Sequence, residues 1–136
     1  MTETKRDSLN VRLAKWAGWR VEQRQLDAVD WYYVLFRSDG ARVTANDGGY
    51  EVDEFWTEDE AWQHAPDYEG SLDAGMALVP REYSVTFGNA IIGGRYCVID
   101  DLDGNKWSNA GVYTATDSAA LAHALDAMRQ QQEAGR

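Results

Sequence analysis

The sequence predicts an α+β fold: a single, mainly antiparallel sheet with short helices packed on it. Apolar residues recur at i, i+4, i+7 near both ends of the chain, in Leu9, Leu13, Trp16 and again in Leu121, Leu125, Met128, the spacing of helices with one apolar stripe. Between them lie runs rich in β-branched and aromatic residues, broken by Asp-Gly pairs of the kind that close hairpins. The only two prolines, Pro66 and Pro80, each stand directly behind a short capped segment, so the interior helices are expected to be brief.

Each element follows from local chemistry. Ser8 is placed to cap a helix over 8–17, with Gly18 just past its end; Arg12 and Lys15 lie off the apolar stripe. WRVEQRQ and WYYVLFRS read as paired strands, and Asp39-Gly40 before ARVTA reads as a tight turn. Thr57 opens a helix over 57–65 and Ser71 another over 71–79. EYSVTFG, RYCVID and SNAGVYTA read as strands, with Asp103-Gly104 turning the last pair, and a helix over 117–131 closes the fold. One domain is expected over 8–131, between a flexible 1–7 and a frayed 132–136. The two halves share a loose order of elements but no residue-level repeat.

Composition excludes several classes. Hydrophobic residues make up 44% of the chain, enough apolar area for a core without staples. A lone Cys97 can form no internal disulfide and no Cys-rich zinc site. The N-terminus is polar from the start, and no window approaches the roughly 20 apolar residues of a membrane span, so a soluble cytoplasmic protein is expected.

Charge is segregated. The net charge is −10, and residues 43–80 alone carry ten acids and no base, so one block accounts for all of it. Such a block repels phosphate and anionic lipid, which excludes direct nucleic-acid or membrane binding through it and favours a cationic partner.

No catalytic constellation or cofactor site emerges. In IDDLDGNKW, placing Gly104 at position six of a calcium loop puts Ile99 at position one and Ala110 at position twelve, and neither can supply a carboxylate; a hairpin turn explains the run. His64 and His123 are too sparse for a metal set, and His123 is expected to face solvent. Alternation in RYCVID puts Cys97 beside Ile99 on one face, as a small buried residue. NAIIGGR lacks both the phosphate-loop and the dinucleotide spacing. The expectation is a protein that is not an enzyme, with no metal and no cofactor.

The pair Gly18-Trp19 after a short helix, PDYEGSLDAGMALV at 66–79, YSVTF at 83–87 and the ending TATDSAALAHALDAM together resemble the phage ABA sandwich domain family. The resemblance runs from about Ser8 to Met128. It implies an α-β-α layered sandwich and a bacteriophage or prophage origin, hence the host cytoplasm; it brings no established activity and no functional residues. This chain differs from the shorter members by a segment around Gly40 to Phe55.

Within the acidic block, Thr57 and Glu60 make a capping box, and Glu58, Asp59 and Glu60 all fall in a first helical turn where the helix dipole favours negative charge. The block therefore reads either as a solvated face or as a binding face for a basic host protein. On the second reading the contacts fall on Glu51, Asp53 and Glu54 before the helix, Glu58 and Asp59 in it, and Asp67 and Glu69 after it. Trp56 and Trp62 are the aromatic candidates; about 240° apart around a helix axis, they cannot both enter one core. The function expected is an inhibitor or modulator of anti-defence type, occupying a nucleic-acid-handling surface of its target. The alternative is a small-molecule or nucleotide binder, a ligand-sequestering protein or minor enzyme, with a pocket built from Tyr32, Tyr33, Arg95 and Tyr96.

Overall fold

The computed structural model of the chain describes residues 7–91 and 93–135. The expected flexible segment 1–7 lies, apart from Asp7, outside them. Four helices and seven strands occur among the described residues, so the α+β class holds. The chain divides into two compact units, Met1–Leu13 with Asp67–Arg136 and Ala14–Pro66.

The helix α1 (Leu9–Trp16) begins as its sequence requires: the Ser8 hydroxyl accepts the Val11 N–H at 3.3 Å. It ends where Gly18 takes φ +103°, with Gly18 N–H bonded to Lys15 O and Trp19 N–H to Ala14 O, the paired bonds of a Schellman motif.

In the unit Ala14–Pro66, β1 (Arg20–Gln25) and β2 (Trp31–Phe36) pair antiparallel from Arg20↔Phe36 to Gln25↔Trp31. The turn between them is built by Asp27, whose Oδ1 accepts the N–H of Val29 and of Asp30, each at 2.9 Å. Past the Asp39-Gly40 turn the chain touches the free edge of β2 at Phe36↔Arg42, leaves it for a small hairpin of β3 (Ala45–Asp47) and β4 (Tyr50–Val52), and returns at Tyr33↔Phe55. The helix α2 (Glu58–Trp62) then packs on β1 and β2, and Val34, Leu35, Phe36, Phe55, Ala61 and Trp62 are buried.

In the other unit, β5 (Ser84–Asn89), β6 (Arg95–Asp100) and β7 (Lys106–Ser108) form a meander with β6 central. The helix α4 (Asp117–Ala134) lies on β6 and β7, and the short α3 (Leu72–Met76) packs on α4. Leu121, Leu125 and Met128 are fully buried, as their spacing predicts, and Cys97 and Ile99 are buried together on β6.

Four expectations are corrected. The strands form three small antiparallel sheets rather than a single one, because residues 42–55 hold the edge of β2 by isolated bridges and spend their other backbone bonds on their own hairpin. SNAGVYTA is not a strand: β7 stops at Ser108, because the buried Asn109 side chain takes the next bonding position on β6. The last helix, expected over 117–131, runs on to Ala134, with Gly135 as its C-cap. His123 is half-buried rather than solvent-facing, since α4 buries Ala120, Ala122 and Ala124 besides its leucines and so presents a face wider than one stripe.

Candidate functional site

The acidic stretch builds a groove of about 310 Å³ on the unit Ala14–Pro66, lined by Leu26, Tyr32 and the whole run Glu51–Trp56. Local backbone chemistry positions it. Phe55 N–H donates to Tyr33 O at 2.9 Å and Tyr33 N–H donates to Phe55 O at 2.8 Å, so the run is pinned to β2 at Phe55. The Phe55 ring is buried and stacks on His64, with centroids 4.8 Å apart and planes 23° from parallel. Alternation then turns Trp56 outward, and it is 67% exposed. Leu26 comes from the β1–β2 turn, and Tyr32 is the neighbour of Tyr33 on β2, on the opposite face.

Trp56 is fixed at its backbone as well. Thr57 Oγ1 accepts the Glu60 N–H at 3.1 Å, and Glu60 Oε1 reaches back to the Trp56 N–H at 3.1 Å, one residue earlier than a capping box requires. The groove therefore adjoins a capped helix start, and its aromatic lip is held on both sides.

The carboxylates differ in what they already hold. Asp53 faces the Arg42 guanidinium at 3.5 Å, both side chains being partly exposed. Among the described residues, Glu51 and Glu54 accept no side-chain hydrogen bond and pair with no cation. Glu58 is engaged: its Oε2 accepts the indole N–H of Trp62 at 3.2 Å. Asp59 lies exposed in the first turn of α2.

Four of the nine expected contact residues, Glu51, Asp53, Glu54 and Trp56, thus meet in one groove. Trp62 is corrected from contact to core, since it is 8% exposed and the Lys15 ammonium sits 5.7 Å from its ring centroid. Asp67 is a turn residue of the other unit, where its Oδ1 accepts the Asn10 amide at 2.9 Å and the Gly70 N–H at 3.0 Å. Glu69, exposed in that same unit, donates its N–H to Asn10 Oδ1.

The remaining candidates are occupied structurally. Arg95 Nε pairs with Asp117 at 2.7 Å and its Nη1 with Asn89 at 2.7 Å, while the Tyr96 ring lies across Gly88, where a Cβ would meet it at 2.6 Å. Asp101 Oδ1 accepts the N–H of Asp103 and of Asn105, so the Asp-rich run builds its own turn. Among the described residues no group of three His, Cys, Asp or Glu could hold a metal ion. Burial pushes the Cys97 thiol up to about 12, with the Asp117 charge adding to it, which leaves no thiolate at neutral pH. Among the described residues no helix is long and apolar enough to cross a membrane.

Two polar centres escape sequence reasoning. Asn109 is one; the other is Asp126, buried on α4 and bonded by Arg12 Nη2 at 3.0 Å and Arg129 Nε at 2.9 Å. An acid between Leu125 and Met128 on the buried stripe is a signal that would have found Asp126, but its partner Arg12 stands 114 residues away. For the groove, only the density of acid around Trp56 was legible.

Fold and site together define a small acidic α+β protein with an open groove of mixed apolar and carboxylate lining. The chain matches no family model, no curated protein and no solved structure.

Proposed function

We propose that this protein is a non-enzymatic acidic binding protein, phage-encoded as its family resemblance implies, that inhibits or modulates a host protein in the host cytoplasm. It acts by occupying a basic, nucleic-acid-handling surface, in the manner of an anti-defence factor. One observation carries the reading: Glu51, Asp53 and Glu54 line one groove together with an exposed Trp56, within a block of ten acids that contains no Lys or Arg. Carboxylates so placed substitute for phosphates, and an exposed aromatic in their midst supplies the apolar anchor that binding hot spots use. Metal, cofactor, nucleic acid and membrane have no part in this function.

Capture from bacterial lysate, with the protein and with its E51Q/D53N/E54Q variant as baits, tests it. A nucleic-acid-binding protein should be retained at low salt by the parent only, and duplex DNA should displace it. Retention that is equal for both baits at every salt concentration refutes the reading.

A second reading is favoured by the groove's size. At about 310 Å³ it reaches the lower end of the roughly 300–1,000 Å³ range of small-ligand sites. A nucleotide or metabolite held there would raise unfolding stability by about 2.7 kcal/mol at a hundredfold excess over its Kd, which a thermal-shift screen detects.

A further inference from the structure

Resting on the binding-protein reading, we infer that the groove takes an arginine side chain of the partner, its guanidinium lying on Trp56 and bonded by the carboxylates of Glu51 and Glu54. The apolar part of the lining, Leu26, Tyr32 and Trp56, offers flat surface for a planar group. Trp56 is 67% exposed yet held at its backbone by Glu60, and the preceding Phe55 is held by Tyr33, so the wall is formed before anything binds.

Charge complementarity selects the occupant. Glu51 and Glu54 have no cation of their own among the described residues, so an anion is repelled, and a purely apolar segment would cover two carboxylates without bonding them. The same unit shows the chemistry twice. Asp53, on the same wall, already faces the Arg42 guanidinium at 3.5 Å, and the Arg20 guanidinium lies 4.2 Å from the centroid of the Phe36 ring. Between the two natural cations, a guanidinium is planar, weakly hydrated and able to bond two carboxylates while stacking; an ammonium is a compact, strongly hydrated point charge.

Three capped peptides distinguish the possibilities: Gly-Arg-Gly-Arg-Gly, its lysine counterpart and its citrulline counterpart, titrated at low salt and followed by the Trp56 indole signal in nitrogen-15 NMR. The Trp56→Phe variant assigns that signal. The arginine peptide should move it and bind roughly tenfold tighter than the lysine peptide, with no binding by citrulline, which is planar but uncharged. Measured by calorimetric titration, because neither variant carries the indole, Trp56→Ala should weaken the arginine peptide by about tenfold and remove the preference over lysine, whereas Trp56→Phe should retain most of it. Glu82→Gln, an exposed acid outside the 43–80 block, should change nothing, and melting curves establish that each variant is folded. Equal affinities for arginine and lysine peptides, unaltered by Trp56→Ala, would overturn this inference as generic charge attraction and leave the basic-partner reading standing. Absence of binding by either cationic peptide also overturns it. The broader reading fails only if lysate capture is indifferent to the E51Q/D53N/E54Q changes.

Discussion

Asn109 does with its side chain what a strand would do with its backbone. Beyond the pair Val98↔Ser108, the next antiparallel position on β6 is Cys97, and its N–H donates to Asn109 Oδ1 at 2.9 Å. The Asn109 amide group donates in turn to Arg95 O at 3.1 Å and Thr114 Oγ1 at 3.1 Å. Asn109→Ala strands the buried Cys97 N–H, while Thr114 Oγ1 still donates to Arg95 O at 2.8 Å, and should cost about 1–3 kcal/mol in urea unfolding, the cost of one buried unsatisfied group. Asp126 poses the charged version of the problem. Burial raises the pKa of its carboxyl, but the hydrogen bonds from Arg12 and Arg129 outweigh burial and hold it below the usual carboxylate value. A depressed folded pKa means stability that is present above the unfolded value, about 3.9, and lost as pH falls through the lower folded one. Asp126→Asn should therefore destabilise by about 2 kcal/mol at pH 7, and the gap between parent and variant should close below about pH 4 in unfolding curves taken from pH 3 to 7. Neither role is written in the residue type. Each depends on partners that only folding supplies.

The elements were legible where capping chemistry is local and illegible where packing decides. Thr57, Ser71 and Gly18 act at the ends their sequences mark, with Ser71 Oγ accepting the Ala74 N–H at 3.2 Å. The extents are less local: α2 and α3 have five residues each, shorter than the segments between cap and proline, because their last turns tighten into i→i+3 bonds such as Leu78 N–H to Gly75 O. Gly75 shows why α3 is close to α4. A Cβ there would lie 2.8 Å from Leu121 Cδ2 and 3.3 Å from its Cγ. Helix propensity alone makes Gly75→Ala favourable by about 1 kcal/mol, but overpacking costs typically 1–3 kcal/mol, and Leu121 is fully buried with little room to move. The substitution should be net destabilising by about 1 kcal/mol in chemical denaturation. A paired Gly75→Ala, Leu121→Ala variant should show less loss than the sum of its parts.

For the whole molecule, charge governs encounter. With a net charge of −10 and ten acids confined to 43–80, association with a basic partner should be fast at low ionic strength and slow at high, as the Debye length falls from about 30 Å at 0.01 M to about 8 Å at 0.15 M. E51Q/D53N/E54Q should lower the association rate and flatten its salt dependence in stopped-flow measurements. Thr57→Ala should leave that dependence intact while costing about 1 kcal/mol of stability through the lost cap. The two variants separate the groove's charges from the helix that supports it.

The i, i+4, i+7 stripes, the caps, the Asp-Gly turns and the charge block are properties of residues close in sequence, so the order of the helices, the strands β1, β2, β5 and β6 and the acidity of 51–70 follow from the chain alone, whereas the β3–β4 hairpin does not. Strand partners beyond a hairpin do not, because alternation marks a strand's two faces and says nothing of which edge another segment will meet. The chain accordingly forms three sheets where one was expected. The same limit separates Trp56 from Trp62: six residues apart in one acidic run, both large and aromatic, they part only when Phe55 bonds to Tyr33 and α2 packs on β1 and β2, burying one indole and leaving the other at the mouth of the groove.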